Sequence, residues 1–87
     1  MAWRLEFAKT ALRELDKLER QAARRVLAFL HDRVVVQGAP RSAGQALRGS
    51  ELGEFWKYRI GDYRVIVALE DQALRVLVVR VGNRKDV

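Results

Sequence analysis

The opening residues alternate. Trp3, Leu5 and Phe7 fall on one side of an extended chain and Arg4 and Glu6 on the other, and this period of two predicts a first strand. From Ala8 the period lengthens. Ala8, Ala11, Leu12, Leu15 and Leu18 recur at helical spacing, with Lys9, Arg13, Glu14, Asp16 and Lys17 outside. Ala23, Val26, Leu27, Leu30 and Val34 form a second apolar stripe along "ERQAARRVLAFLHDRVVVQG". Together they predict an antiparallel helix pair with its break near Leu18 to Arg20. Gly38, Pro40, Ser42 and Gly44 close the second helix and make a loop. Leu47 is expected to tuck under the domain, and Gly49 and Gly53 to bend the chain. The last third, "FWKYRI", "YRVIVALE" and "LRVLVVRV", is rich in β-branched and aromatic residues and is divided by "GD" and "EDQA", which predicts a three-stranded meander.

The order strand, helix, helix, strand, strand, strand implies an α+β domain. One mostly antiparallel four-stranded sheet is expected, with the helix pair on one face. Without a repeat, linker or low-complexity segment, residues 1–87 read as one domain.

The hairpin is the most informative stretch. Gly61-Asp62 is a two-residue loop with glycine first, the chemistry of a type II′ turn. That turn sets Ile60 opposite Tyr63, Arg59 opposite Arg64, Tyr58 opposite Val65 and Lys57 opposite Ile66. Trp56, Tyr58, Ile60, Tyr63, Val65, Val67 and Leu69 then share the core face. A next turn centred on Asp71-Gln72 would add Leu74, Val76 and Val78, and would set Arg80 on the core side opposite Tyr63 as a snorkelling strand end. The other face collects Lys57, Arg59 and Arg64, with Phe55, Ile66, Leu77 and Val79 between them.

Composition sharpens this picture. The 87 residues are 49% hydrophobic and 32% charged, which argues against a disordered chain. With no cysteine and one histidine, disulfides, thiolate sites and multi-histidine metal cages are excluded, and no cofactor is expected. No apolar run reaches the length of a membrane span and no leader opens the sequence, so the expected location is the cytoplasm, with no membrane partner. The net charge of +6 points to a polyanionic partner. Like charges opposite each other in an antiparallel pair destabilise by roughly 0.2–1 kcal/mol. The Arg59–Arg64 pair therefore reads as a phosphate cradle; the alternative is two arginines splayed into water over the apolar residues beside them. Neighbouring positive charge also disfavours protonation of a lysine, which makes Lys57 a candidate base.

The order of elements, the "LRG" at Leu47 to Gly49, the "WKYRIGDYRV" hairpin and the closing "VRVGNRKDV" together resemble the RelE toxin family, within the wider RelE/ParE superfamily. The resemblance spans essentially the whole chain. It implies a type II toxin, a ribosome-dependent endoribonuclease that cuts messenger RNA in the ribosomal A site. A cognate RelB-like antitoxin would neutralise it in a hetero-oligomeric complex. By position, the family's basic catalytic residues fall on Lys57, Arg59, Arg64 and Arg84, with Arg48 and Lys85 as further RNA contacts. Family members commonly carry a tyrosine a few residues beyond the arginine that Arg84 matches. The sequence given ends at Val87, and Tyr58 and Tyr63 fall on the core face, so neither is expected to supply that group. A ParE-like toxin that binds DNA gyrase without cutting RNA is the alternative within the superfamily.

Other residues carry weaker signals. Arg20 and Arg24, with Arg25, lie on an exposed helical surface suited to ribosomal RNA or simply to water. Trp3 and Trp56 are expected in the core. Glu14 and Lys17 have the spacing of a surface ion pair. His31 lies late in the second helix without a partner motif.

Overall fold

A computed structural model describes residues 3–42, 44–47 and 54–83. Strand β1 (Arg4–Phe7) leads into helix α1 (Lys9–Asp16) and, after a short break, α2 (Arg20–Leu30), which continues as a π-helical segment, His31–Val36. Strands β2 (Gly44–Ala46), β3 (Glu54–Ile60), β4 (Tyr63–Glu70) and β5 (Arg75–Asn83) complete one sheet in the order β1-β5-β4-β3-β2. β1 runs parallel to β5 and the other neighbours are antiparallel. No described helix is long and apolar enough to cross a membrane.

The class is the expected α+β, with one strand more than the pattern predicts. β2 lies where Gly44 reads as a loop residue. Gly44 pairs with Tyr58, and a Cβ there would sit 2.5 Å from the Tyr58 ring and 2.6 Å from the Lys57 carbonyl oxygen. That glycine serves close strand approach. The neighbouring Leu47 is half-buried and its N–H bonds to the Phe55 carbonyl at 2.9 Å. Gly49 and Gly53 lie outside the described residues.

The helical layer packs on one face of the sheet. α1 lies against β5 and α2 against β3, while the π-helical segment reaches β1. Val26, Leu30 and Val34 meet Tyr58, Val65, Val67, Val76, Val78 and Val81, all at most 1% exposed. Trp3 and Trp56 are half-buried against this cluster, with Arg41 held over the Trp56 ring at 5.8 Å. The helix ends at Gly38, whose φ of 65° and N–H bond to the Val34 carbonyl make a left-handed cap. Tyr58 then ties the following loop down: its buried hydroxyl donates to the Pro40 carbonyl at 2.6 Å and its ring meets Phe29. Burial, opposed by the nearby charge of Arg41, pushes the phenol up to about 12, so it stays a donor.

Two register details correct the sequence reading. The β4–β5 connection takes four residues, with Leu74 left-handed at φ 50°, so Leu69 pairs with Val76. Leu74 stands in that turn instead of on the core face of a strand. A bulge at Val79 then shifts the strand by one. Val81 becomes a core residue, Asn83 faces Tyr63, and Arg80 faces Ile66 instead of Tyr63. Arg80 is bound by Glu14, not snorkelling alone. Its Nε and Nη2 reach the Glu14 carboxylate at 3.0–3.1 Å, and the Val81 N–H donates to the same group at 2.9 Å. Glu14 thus pins α1 to the bulge, and Lys17, the partner its spacing suggested, contributes only charge at a distance. α1 has eight residues, too few to hold as an isolated helix, so its place depends on this packing and pinning.

Burial pushes the Glu14 carboxyl up, but the bonds from Arg80 and Val81 and the charges of Arg80 and Lys17 outweigh it, and the group stays below its ordinary 4.5. Its contribution to stability is therefore full above that value and is lost as pH falls through the lower folded one. Urea titrations of the Glu14→Gln chain should show a loss at neutral pH that shrinks in acid as the parent loses the same bonds; an equal loss at both would mean that the carboxylate charge is not what matters. Tyr58→Phe leaves the Pro40 carbonyl without its donor and should cost about 1–2 kcal/mol, read as a lower urea midpoint at unchanged slope.

Candidate nucleic-acid interface

The β3–β4 turn sets the geometry of the cationic face. Gly61 has φ 59°, and Asp62 is not among the residues with positive φ, the pattern of a type II′ turn. Ile60 pairs with Tyr63, Arg59 with Arg64, Tyr58 with Val65 and Lys57 with Ile66, as the two-residue loop predicts. In such a hairpin the pair next to the closing one is not hydrogen-bonded. Its Cα atoms come to about 4.5 Å, the closer of the two spacings. Arg59 and Arg64 occupy that position. Arg59 is exposed, and Lys57 and Arg64 are half-buried.

The register arranges the outer face in rows. Gln45, Lys57, Ile66 and Arg80 form one; Arg59, Arg64 and Gly82 form the next, toward the hairpin tip. Gly82 places no side chain beside Arg64. Among the described residues no carboxylate lies within ion-pair distance of Lys57 or Arg59. Arg80 is different. Its row belongs to this face, but its charge is spent on Glu14. The result is a basic outer face whose guanidinium forks and one ammonium have the chemistry to bind phosphate oxygens.

The helical cations approach the same end of the sheet from the other side. Arg20, Arg24 and Arg25 are exposed on α2, and the Arg25 guanidinium lies over the hairpin turn, 3.1 Å from where a Cβ on Gly61 would stand. Arg25 is thus beside the turn that separates Arg59 from Arg64, a placement its sequence position does not signal. Arg84, Lys85 and Arg48 lie outside the described residues. His31 is exposed, 3.4 Å from Asp32 and remote from the hairpin in sequence.

A cleft of about 420 Å³ opens on the helix side of this sheet end, between Lys17, Leu18 and Glu19 and the strand residues Tyr63, Val81 and Asn83. Tyr63 is accordingly a half-buried wall of that cleft as well as a neighbour of the core. The cleft holds none of Lys57, Arg59 or Arg64, and its carboxylates suit a phosphate badly. The chemistry of an anion site belongs to the outer face.

Comparison with known proteins agrees with the fold. Residues 5–87 match the sequence model of a family described as the ParE toxin of the type II toxin–antitoxin system, parDE. The toxin–antitoxin complex RelBE2 of Mycobacterium tuberculosis contains a similar chain, 28% identical with a TM-score of 0.83, over 97% of this chain and 93% of that one. The archaeal RelE–RelB complex of Pyrococcus horikoshii is similar at 25% identity and TM-score 0.78, over the full length of both chains. The isolated E. coli RelE toxin is similar at 29% identity and TM-score 0.73, over 94% of this chain and 84% of that one. No curated protein sequence gives a significant match. With the family matched over nearly its whole length, this chain belongs to the ParE toxins of type II toxin–antitoxin systems, within the RelE/ParE superfamily.

Proposed function

We propose that this toxin is a messenger RNA endoribonuclease that works in the ribosomal A site. The observation that carries the reading is the Arg59–Arg64 pair, set side by side at the narrow spacing of the hairpin with Lys57 on the same face. Two guanidinium groups opposite one another on an outer sheet face suit a phosphate held between them. The whole of residues 1–87 acts as one domain, in the cytoplasm, and an acidic RelB-like antitoxin covers the basic face in a hetero-oligomeric complex. Similar chains occur in RelB–RelE complexes, which supports that partner.

The chemistry is transesterification. Lys57 accepts the proton of a ribose 2′-OH, the oxygen attacks the adjacent phosphorus, and the 5′-oxygen leaves with a proton returned to it, giving a 2′,3′-cyclic phosphate. Arg59 and Arg64, with Arg84, neutralise the charge that builds on the phosphate. Arg48 and Lys85, with Arg20 and Arg24, are further RNA contacts. The set lacks paired histidines or carboxylates, so it relies on the ribosome to hold the messenger in reactive geometry.

A second reading has its own observation, since the matching family is described by ParE. In that case the chain binds DNA gyrase and cuts no RNA. The two separate in primer extension on a messenger translated in a purified system, beside the same RNA without ribosomes. The nuclease reading expects cuts at A-site codons only when ribosomes are present. Arg64→Ala should reduce cutting by roughly 10²–10³-fold while the melting temperature barely moves, because the side chain is off the core face. No cuts, together with inhibited gyrase supercoiling, would establish the second reading. A large fall in melting temperature would show that Arg64 holds the fold.

A further inference from the structure

We propose that β1 is a self-complementary edge through which two copies of this chain pair, antiparallel and in register, into one continuous sheet. β1 is the last strand on its side, and among the described residues no strand pairs with its outer edge. The parallel ladder to β5 determines which backbone groups are free. Arg4 N–H donates to the Leu74 carbonyl and Ala8 N–H to the Val78 carbonyl, so the even-numbered residues turn their amides inward. The amides and carbonyls of Trp3, Leu5 and Phe7 therefore point outward. An antiparallel copy joins edge to edge only by pairing outward residues with outward residues.

A two-fold axis through Leu5 satisfies this. Leu5 faces Leu5 of the second copy and Trp3 faces its Phe7, each pair exchanging both backbone bonds. Between them, in the closer non-hydrogen-bonded positions, Arg4 faces the second copy's Glu6, and Glu6 its Arg4. Charge complementarity thus falls where side chains come closest. The groups are available for it: Arg4 is 64% exposed, and Glu6 gives Oε1 to Arg75 while its Oε2 holds Arg4 of its own chain only at 3.9 Å. On the other side of the strand, Trp3, Leu5 and Phe7 are half-buried against the core and would cover one another as Trp–Phe and Leu–Leu pairs. The π-helical segment packed beside β1 also ends in Val36, which is 66% exposed.

The opposite edge does not offer this. β2 has three residues, one of them Gly44, and no charged side chain. A five-residue edge contact is small, so the dimer should be weak, with dissociation in roughly the micromolar range or above. An interface on β1 is separate from Lys57, Arg59 and Arg64, which leaves both outer basic faces open on the same side of the joined sheet.

Sedimentation velocity on the purified free chain over a range of concentrations tests this. The chain should shift from monomer to dimer as concentration rises. Arg4→Glu opposes glutamate to glutamate at both ends, and Glu6→Arg opposes arginine to arginine, so each alone should weaken self-association by roughly tenfold or more. Mixing the two variants should restore association, as a heterodimer, because every opposed pair is then of opposite sign. Unfolded chains would not show that rescue. Should Glu6→Arg fail to fold, Arg4→Glu at its exposed position carries the test alone. A parent chain that stays monomeric throughout, or a dimer indifferent to Arg4→Glu, overturns the proposal.

Discussion

The pairing of β3 with β4 is the constraint on which the rest of this molecule hangs. Gly61 accepts φ 59° without a Cβ penalty, and a two-residue turn leaves the strands one way to meet. That register turns Tyr58 inward, where its hydroxyl holds Pro40 and its ring forbids any side chain at Gly44. The loop after α2 and the approach of β2 follow from it. The same register turns Lys57, Arg59 and Arg64 outward. A slip of one residue would carry these cations into the apolar core and expose Tyr58, Val65 and Val67. Burying unpaired charge costs far more than the mild repulsion between Arg59 and Arg64 that the native register tolerates. The fold therefore fixes the cationic face without needing that face to be stable in itself.

This explains which parts could be read from the sequence. The hairpin could, because a two-residue turn and strict alternation determine every partner from Trp56 to Leu69. Lys57, Arg59 and Arg64 came with it. β5 could not be read beyond Val78. Leu74 is a left-handed residue without the glycine that would announce it, and the bulge at Val79 sits in an unbroken run of apolar residues. One clue was present: Val81 is apolar and Arg80 charged, the reverse of what uninterrupted alternation requires. The partner of Glu14 lies 66 residues away and depends on that bulge, so local spacing pointed to Lys17 instead. β2 was hidden because its glycine, a loop signal by composition, is there for contact with Tyr58. Arg25 reaches the hairpin only through the crossing of α2 over β3, which no local pattern encodes.

The distribution of ion pairs completes the picture. Arg75 binds Glu70 and Glu6, Arg80 binds Glu14, and Arg41 binds Asp71 through both carboxylate oxygens. Each joins elements distant in sequence or closes a strand end. Exposed pairs of this kind contribute little to stability singly. Their larger consequence is where the remaining charge stands. They occupy four acidic side chains, on β1, on α1, at the end of β4 and in the β4–β5 connection, and none of them draws on Lys57, Arg59 or the exposed arginines in the first turns of α2.

Such an arrangement couples binding to folding. Arg59 and Arg64 stand opposite one another in the hairpin, and an anion set between them offsets their like charge as it binds. A ligand that prefers the folded state stabilises it by mass action, and one that also relieves internal repulsion gains additional affinity from the same source. This holds for an RNA phosphate and for the acidic side chains of an antitoxin alike. On the proposed reading the two would compete for one face, and neutralisation would then require no distortion of the toxin: a carboxylate seated between Arg59 and Arg64 would occupy the position of the scissile phosphate. On that reading, the residues that would act on RNA are the same ones that would make the surface capturable by an acidic protein.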